Sequence, residues 1–286
     1  MPRPHAVTLL AVILSLLLLA SCGGGPKGPA VDSPEWLYQK AKDSFGQKDY
    51  EKTEQHLEKL EAIAGNPFLA RAAAWQLLLE TGLILGHQEL AEAYYQGRSY
   101  AGPRKTDFGR EKSAQMQEVR RHALHMLEAY PRFEKTVSDQ AVALEFPLPD
   151  GSAAPVLDLE RIRKGMWLME EPRAELQDKV VTRGILRGFS ASITGLDDSA
   201  GARKVLGSGR TETPSAKFLL AMGESLSKAA AVFDRKNLNE PDKRKQFLER
   251  ASEAAKRARE SKPEAAVGKA AKKLQEDSEK ALKTAK

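Results

Sequence analysis

The stretch WLYQKAKDSFGQKDYEKTEQHLEKL, residues 36–60, constrains the fold of this chain most. Apolar residues recur three and four apart on both sides of GQKDY, which predicts two amphipathic helices around a tight turn. A single helical pair cannot bury its own apolar face, so further helices must stack on it. The remaining chain offers them. Asp107 to Tyr130 reads as a long helix stopped at Pro131, followed by a shorter one to about Leu144. Leu159, Ile162, Met166 and Met169 form one helical stripe, and Leu176, Val180, Ile185, Phe189 and Ile193 form another. Thr213-Pro214 predicts a helix start, with Leu219, Met222, Leu226 and Phe233 on its buried face. No stretch alternates apolar and polar residues as a strand would, so the predicted class is all-α.

The block WQLLLETGLILGHQELAEAYYQGRSYAGP, residues 75–103, repeats the helix–turn–helix reading around Gly86. Its Trp75, Leu78, Gly86, Ala91, Tyr95 and Pro103 resemble the signature positions of the tetratricopeptide repeat (TPR), with departures at Leu79 and Gly82. The first block fits the same frame through Leu37, Ala41, Asp49, Tyr50, Leu57 and Leu60, and departs from it at Thr53 and Gly65. A third echo lies in Ala251, Ala255, Ala258 and Pro263, with residues 217–234 as its first helix. The resemblance implies TPR-like antiparallel helical hairpins, an α-solenoid, with additional C-terminal helices. It also implies a peptide-binding groove at Glu35, Tyr38 and Lys42, then Ala73, Gln76 and Glu80.

The N-terminus carries a different signal. One basic residue, Arg3, precedes an apolar run from Ala6 to Ala20. A basic start, an apolar core of roughly 7 to 15 residues and a small-residue finish describe a secretory signal. The run is too short for a membrane span, which needs about 20 apolar residues. It ends Leu19-Ala20-Ser21-Cys22, and Cys22 is the only cysteine. This resembles the lipobox of bacterial lipoproteins. The resemblance implies cleavage after Ser21, acylation of Cys22 and a bilayer as the first partner. Two or more acyl chains anchor stably where one does not. Gly23 replaces the aspartate that in Gram-negative lipoproteins commonly retains the protein at the inner membrane, so the outer membrane facing the periplasm is the expected address.

These readings divide the chain into a signal (1–21), a flexible glycine- and proline-rich tether (22–33) and a TPR-like domain (34–144). A linker (145–156), a helical region (157–240) and a basic helical segment (241–286) follow. The last segment holds 14 Lys and Arg against 8 Asp and Glu, the whole of the chain's net +6. It could contact anionic membrane or cell-wall polymer, which would make the protein a structural envelope tether. Its lysines alternate with acids at helical spacing, as in a solvated self-paired helix. Nucleic acid is not an expected partner for an exported chain.

Chemistry is sparse at this level. Glu118, His122 and His125 in EVRRHALH share a helix face, but the HExxH pattern is missing and Arg120 and Arg121 oppose a cation. The expectation is a polar helix face and no metal. VLGSGRTET lacks the strand and the lysine of a phosphate loop, and GFSAS lacks the second glycine of a hydrolase elbow. Gly184 and Gly188, one turn apart, read as a close-packing surface. No catalytic residue and no cofactor is expected, and the chain reads as a protein–protein interaction scaffold rather than an enzyme.

Overall fold

Ser33 opens the first helix, its Oγ accepting from the Trp36 amide at 3.2 Å while Pro34 occupies the first turn. The computed structural model describes residues 28–138, 140–148, 156–195, 203–205 and 210–284. Leu19, Ala20, Ser21 and Cys22 lie outside the described residues, as do Gly207, Ser208 and Gly209 of VLGSGRTET.

Helix α1 (Pro34–Gly46) turns through Gln47–Asp49 into α2 (Tyr50–Glu61). Lys48 takes φ 61° in that turn, and Asp49 caps α2 by accepting from the Lys52 amide. This is the hairpin expected at GQKDY. Helix α3 (Leu69–Gly97) comes next, then a 3-10 turn at Gly102–Arg104 and α4 (Lys105–Thr136), paired with α3 along its length. A two-stranded ribbon, a short helix α5 (Leu157–Arg163) and α6 (Glu170–Thr194) follow. The C-terminal group is α7 (Ser215–Ala230), α8 (Pro241–Glu260) and α9 (Ala265–Thr284). Ala251, Ala255 and Ala258 are buried where α8 meets its neighbours. The protein is all-α, built from packed helical hairpins with further helices at its C-terminal end.

Helix α3 organises the body. Its middle, from Ala72 to Ile84, is buried on every face, and the helix packs against α2, α4, α5, α6, α7 and the ribbon. A helix that is apolar all round must be central. Its contact with α6 is unusually close because Gly82 and Gly86 on α3 meet Gly184 and Gly188 on α6. A Cβ at Gly184 would stand 2.4 Å from the Gly86 nitrogen and 2.5 Å from the Gly82 carbonyl oxygen.

Several local expectations are corrected. The turn at Gly86 is absent. α3 runs unbroken through it, because Gly86 admits Val181 of α6 rather than ending a helix. Pro131 does not stop α4, which continues to Thr136. Buried Tyr130 and Phe133 on either side hold the chain helical despite the missing amide proton. The shorter helix expected to end near Leu144 is instead strand β1 (Ala141–Glu145). It pairs antiparallel with β2 (Arg210–Pro214), in register Ala141↔Pro214 to Glu145↔Arg210. Val142 and Leu144 point into the core, so the ribbon is a small half-buried sheet. Thr213 and Pro214 belong to β2, and α7 starts at Ser215. One hydrophobic cluster runs from Leu37 to Ala271, so the stretch at 145–156 does not separate two cores.

Candidate functional site

The predicted groove is not open. Among its positions Glu35 is exposed and Lys42 half-buried, whereas Tyr38, Ala73, Gln76 and Glu80 are buried. The chain itself fills the space. The Tyr38 hydroxyl donates to the Glu145 carbonyl, and Lys42 and Arg71 clamp the Glu145 carboxylate at 3.0 and 2.7 Å. Phe146 then stacks on Trp75 with ring centres 5.5 Å apart. An extended segment, Ala141 to Phe146, thus lies across the positions of the expected groove.

Glu80 leads instead to a polar cluster in the interior. It sits on α3 four residues after Gln76, facing α4, where helical spacing puts Glu118, His122 and His125 on one side. Glu54 reaches the same point from α2. Glu54 and Glu80 are 4% and 0% exposed, His122 is 3% exposed and His125 32%. His122 Nδ1 donates to Glu80 Oε2 at 2.8 Å and faces Glu54 Oε1 at 3.1 Å. His125 Nδ1 lies 3.8 Å from Glu54 Oε2 and 3.6 Å from Glu80 Oε1. Each carboxylate therefore divides its two oxygens between the two imidazoles. Glu54 Oε1, Glu80 Oε1 and His125 Nδ1 are buried and make no hydrogen bond.

The far nitrogen of His122, Nε2, stands 3.0 Å from an Arg121 NH2 group and 3.9 Å from Glu118 Oε2. Arg121 itself holds Glu118 through two hydrogen bonds of 3.0 and 2.7 Å. Arg120 turns away to pair with Glu240, so the charge expected to crowd this face comes from one arginine and not two. His87, two turns along α3 from Glu80, stacks on His122 with ring centres 5.6 Å apart and an interplanar angle of 14°. Its Nδ1 bonds Gln115 Oε1 at 2.7 Å.

The environment sets the charges. The nearby Glu54 and Glu80 carboxylates raise His125 well above an ordinary imidazole. Burial disfavours a charged His122, yet its bond to Glu80 and the Glu54 carboxylate beside it outweigh that and raise it. Burial likewise opposes an ionised Glu54, but His122, His125 and Arg121 together hold it below the usual carboxylate range. Burial lowers His87. In Glu118, hydrogen bonding from Arg121 overcomes burial and lowers the carboxyl.

A polar cleft of about 680 Å³ opens beside the cluster, lined among others by Lys48, Tyr50, His87, Glu118, Arg121, His122 and Gln177. His122 belongs to both, with one ring nitrogen toward the buried carboxylates and its other side on the cleft. Among the described residues Glu54, Glu80, His122 and His125 form a group that could hold a metal ion, their four ligand atoms lying within 4.8 Å of one another, and His87, Glu118 and His122 form a second. EVRRHALH carried half of this signal. Glu54 and Glu80 lie on other helices, and no spacing in the sequence ties them to His122.

Compared with family models, with curated proteins and with solved structures, the chain matches none. The site is read from its own chemistry.

Proposed function

We propose that this chain is a lipid-anchored cell-envelope protein whose helical body serves as an interaction scaffold. The observation that carries this is Leu19-Ala20-Ser21-Cys22 at the end of a short apolar run. Among the described residues no helix is long and apolar enough to cross a membrane, so attachment through Cys22 is the route this reading requires. Because the segment Ala141–Phe146 occupies the groove between α1 and α3, the partner is assigned to the polar cleft beside His87 and His122. Its mixed lining of Lys48, Glu118, Arg121 and Gln177 suits a polar loop of another protein. The tether alternative is less favoured by the contacts of the basic segment. Lys245, Lys256 and Lys272 pair with Glu249, Glu260 and Glu276 one turn away, as a solvated helix surface does.

Cells fed labelled fatty acid are expected to label the wild-type protein and to retain it with membranes, whereas Cys22→Ala should do neither. Label on the variant would remove the lipobox reading. A photocrosslinker at exposed Lys48 or Gln177 should trap a discrete adduct that the same group at exposed Lys272 on α9 does not. Equal adducts from all three positions would contradict the assignment of the cleft.

A further inference from the structure

Glu54, Glu80, His122 and His125 are arranged as ligands rather than as ion pairs. A proton on an imidazole nitrogen points along one line and serves one acceptor well. Here each Nδ1 faces two carboxylate oxygens, and three of the buried polar atoms make no hydrogen bond. A cation at the centre serves all four groups at once. Metal–ligand bonds near 2.1 Å in a tetrahedron place the ligand atoms about 3.4 Å apart. The nitrogen–oxygen separations of 2.8, 3.1, 3.6 and 3.8 Å engage both oxygens of each carboxylate. One ligand atom from each of the four residues lies within 4.8 Å of the others, so small side-chain rotations bring four donors to that spacing. We propose that Glu54, Glu80, His122 and His125 form a binding site for one divalent first-row transition metal ion, with zinc as its reference occupant. The inference goes beyond the anchor and the cleft and stands without either.

The donor set selects the class of ion. Two imidazoles and two carboxylates without sulfur suit zinc, iron(II) or manganese(II). Calcium takes six to eight oxygens and magnesium keeps several waters, so neither matches a four-ligand site with two nitrogens. A divalent ion with neutral histidines also balances the two carboxylates in a place nearly closed to solvent. The ligands come from α2, α3 and α4, so the ion would pin the N-terminal hairpin to the central helix pair. Rigid helices hold ligands in place better than loops do.

The outer contacts complete the site. With a metal on Nδ1, His122 keeps its proton on Nε2 and needs an acceptor there. Arg121 can only donate, and its side chain is 42% exposed and able to turn outward. Glu118 Oε2, 3.9 Å away, is then placed to accept a hydrogen bond from Nε2–H, giving the carboxylate–histidine–metal arrangement common around bound zinc. The second grouping on the cleft side, His87, Glu118 and His122, shares His122 and is crossed by Arg121, so one ion is proposed and not two.

The test uses the untagged full chain, stripped with a chelator and titrated with zinc chloride. We expect one zinc per chain that survives gel filtration, together with a raised melting temperature. His125→Ala and Glu54→Gln should lose it. His56→Ala, on the outer part of α2 and away from the four ligands, should keep it. Glu118→Gln should weaken zinc binding by about 10- to 100-fold. Where a ligand variant fails to fold by circular dichroism, cobalt(II) in the wild-type chain gives the second readout. Tetrahedral coordination yields intense visible bands, and their absence overturns the site. No zinc on the wild-type protein also overturns it, leaving the cluster an internal ion-pair network. Undiminished zinc on a folded His125→Ala would do the same.

Discussion

Gly184→Ala is expected to destabilise the protein by about 3 kcal/mol, at the upper end of what overpacking a core costs. The added methyl would meet the Gly86 nitrogen at 2.4 Å, the Gly82 carbonyl oxygen at 2.5 Å and the Gly86 Cα at 2.6 Å. These are backbone atoms of the central helix, and they cannot step aside as a side-chain tip can. Relief comes only by parting α3 from α6, and α3 is the element on which α2, α4, α5 and the ribbon also rest. Gly86→Ala meets Val181 Cα at 2.7 Å and should behave similarly. The double variant should cost less than the two singles together, because helices already parted accept the second methyl. Gly46→Ala, with nothing within 4 Å, should stay within about 0.5 kcal/mol of wild type. Urea denaturation of the four variants beside the wild-type protein measures all of this. An unchanged midpoint for Gly184→Ala would mean that the two helices do not touch as described.

The second large effect is expected at Glu80. In the metal-free chain Glu80→Ala should cost about 3–5 kcal/mol, the range seen when one partner of a buried charge cluster is removed. It withdraws a carboxylate that faces both His122 and His125 and leaves their Nδ1 groups to Glu54 alone. Glu35→Ala, at an exposed position of α1, should change stability by less than about 0.5 kcal/mol. The contrast separates an interior charge cluster from a solvent-facing groove, since in a groove the two carboxylates would be equally dispensable. Chemical denaturation in the presence of a chelator gives both values. A near-neutral Glu80→Ala would place Glu80 at the surface.

The helices were legible because their signals are local. Periodicity at Leu37, Ala41 and Phe45, a turn at Gln47–Asp49 and stripes such as Leu176 to Ile193 each depend on residues a few positions apart. Gly86 was misleading for a physical reason. A glycine that ends a helix and a glycine that admits a neighbouring backbone look alike until the neighbour, here Val181, is known. Strand β1 escaped notice because AVALE alternates only weakly in polarity and its partner RTETP lies 65 residues further on. The charge cluster is the clearest instance. His122 and His125 share a helix face in the sequence, but what makes them chemically interesting is the pair of carboxylates brought by α2 and α3. The predicted groove failed through the same kind of long-range event, when Glu145 and Phe146 folded back onto Tyr38, Arg71 and Trp75.

Anomalous diffraction at the zinc absorption edge, from crystals of the zinc-loaded protein, tests the central claim most directly. The account predicts one strong peak enclosed by Glu54, Glu80, His122 and His125, about 2.0–2.2 Å from the Nδ1 atoms of both histidines and from one oxygen of each carboxylate. A zinc peak elsewhere on the chain, or none, would contradict it.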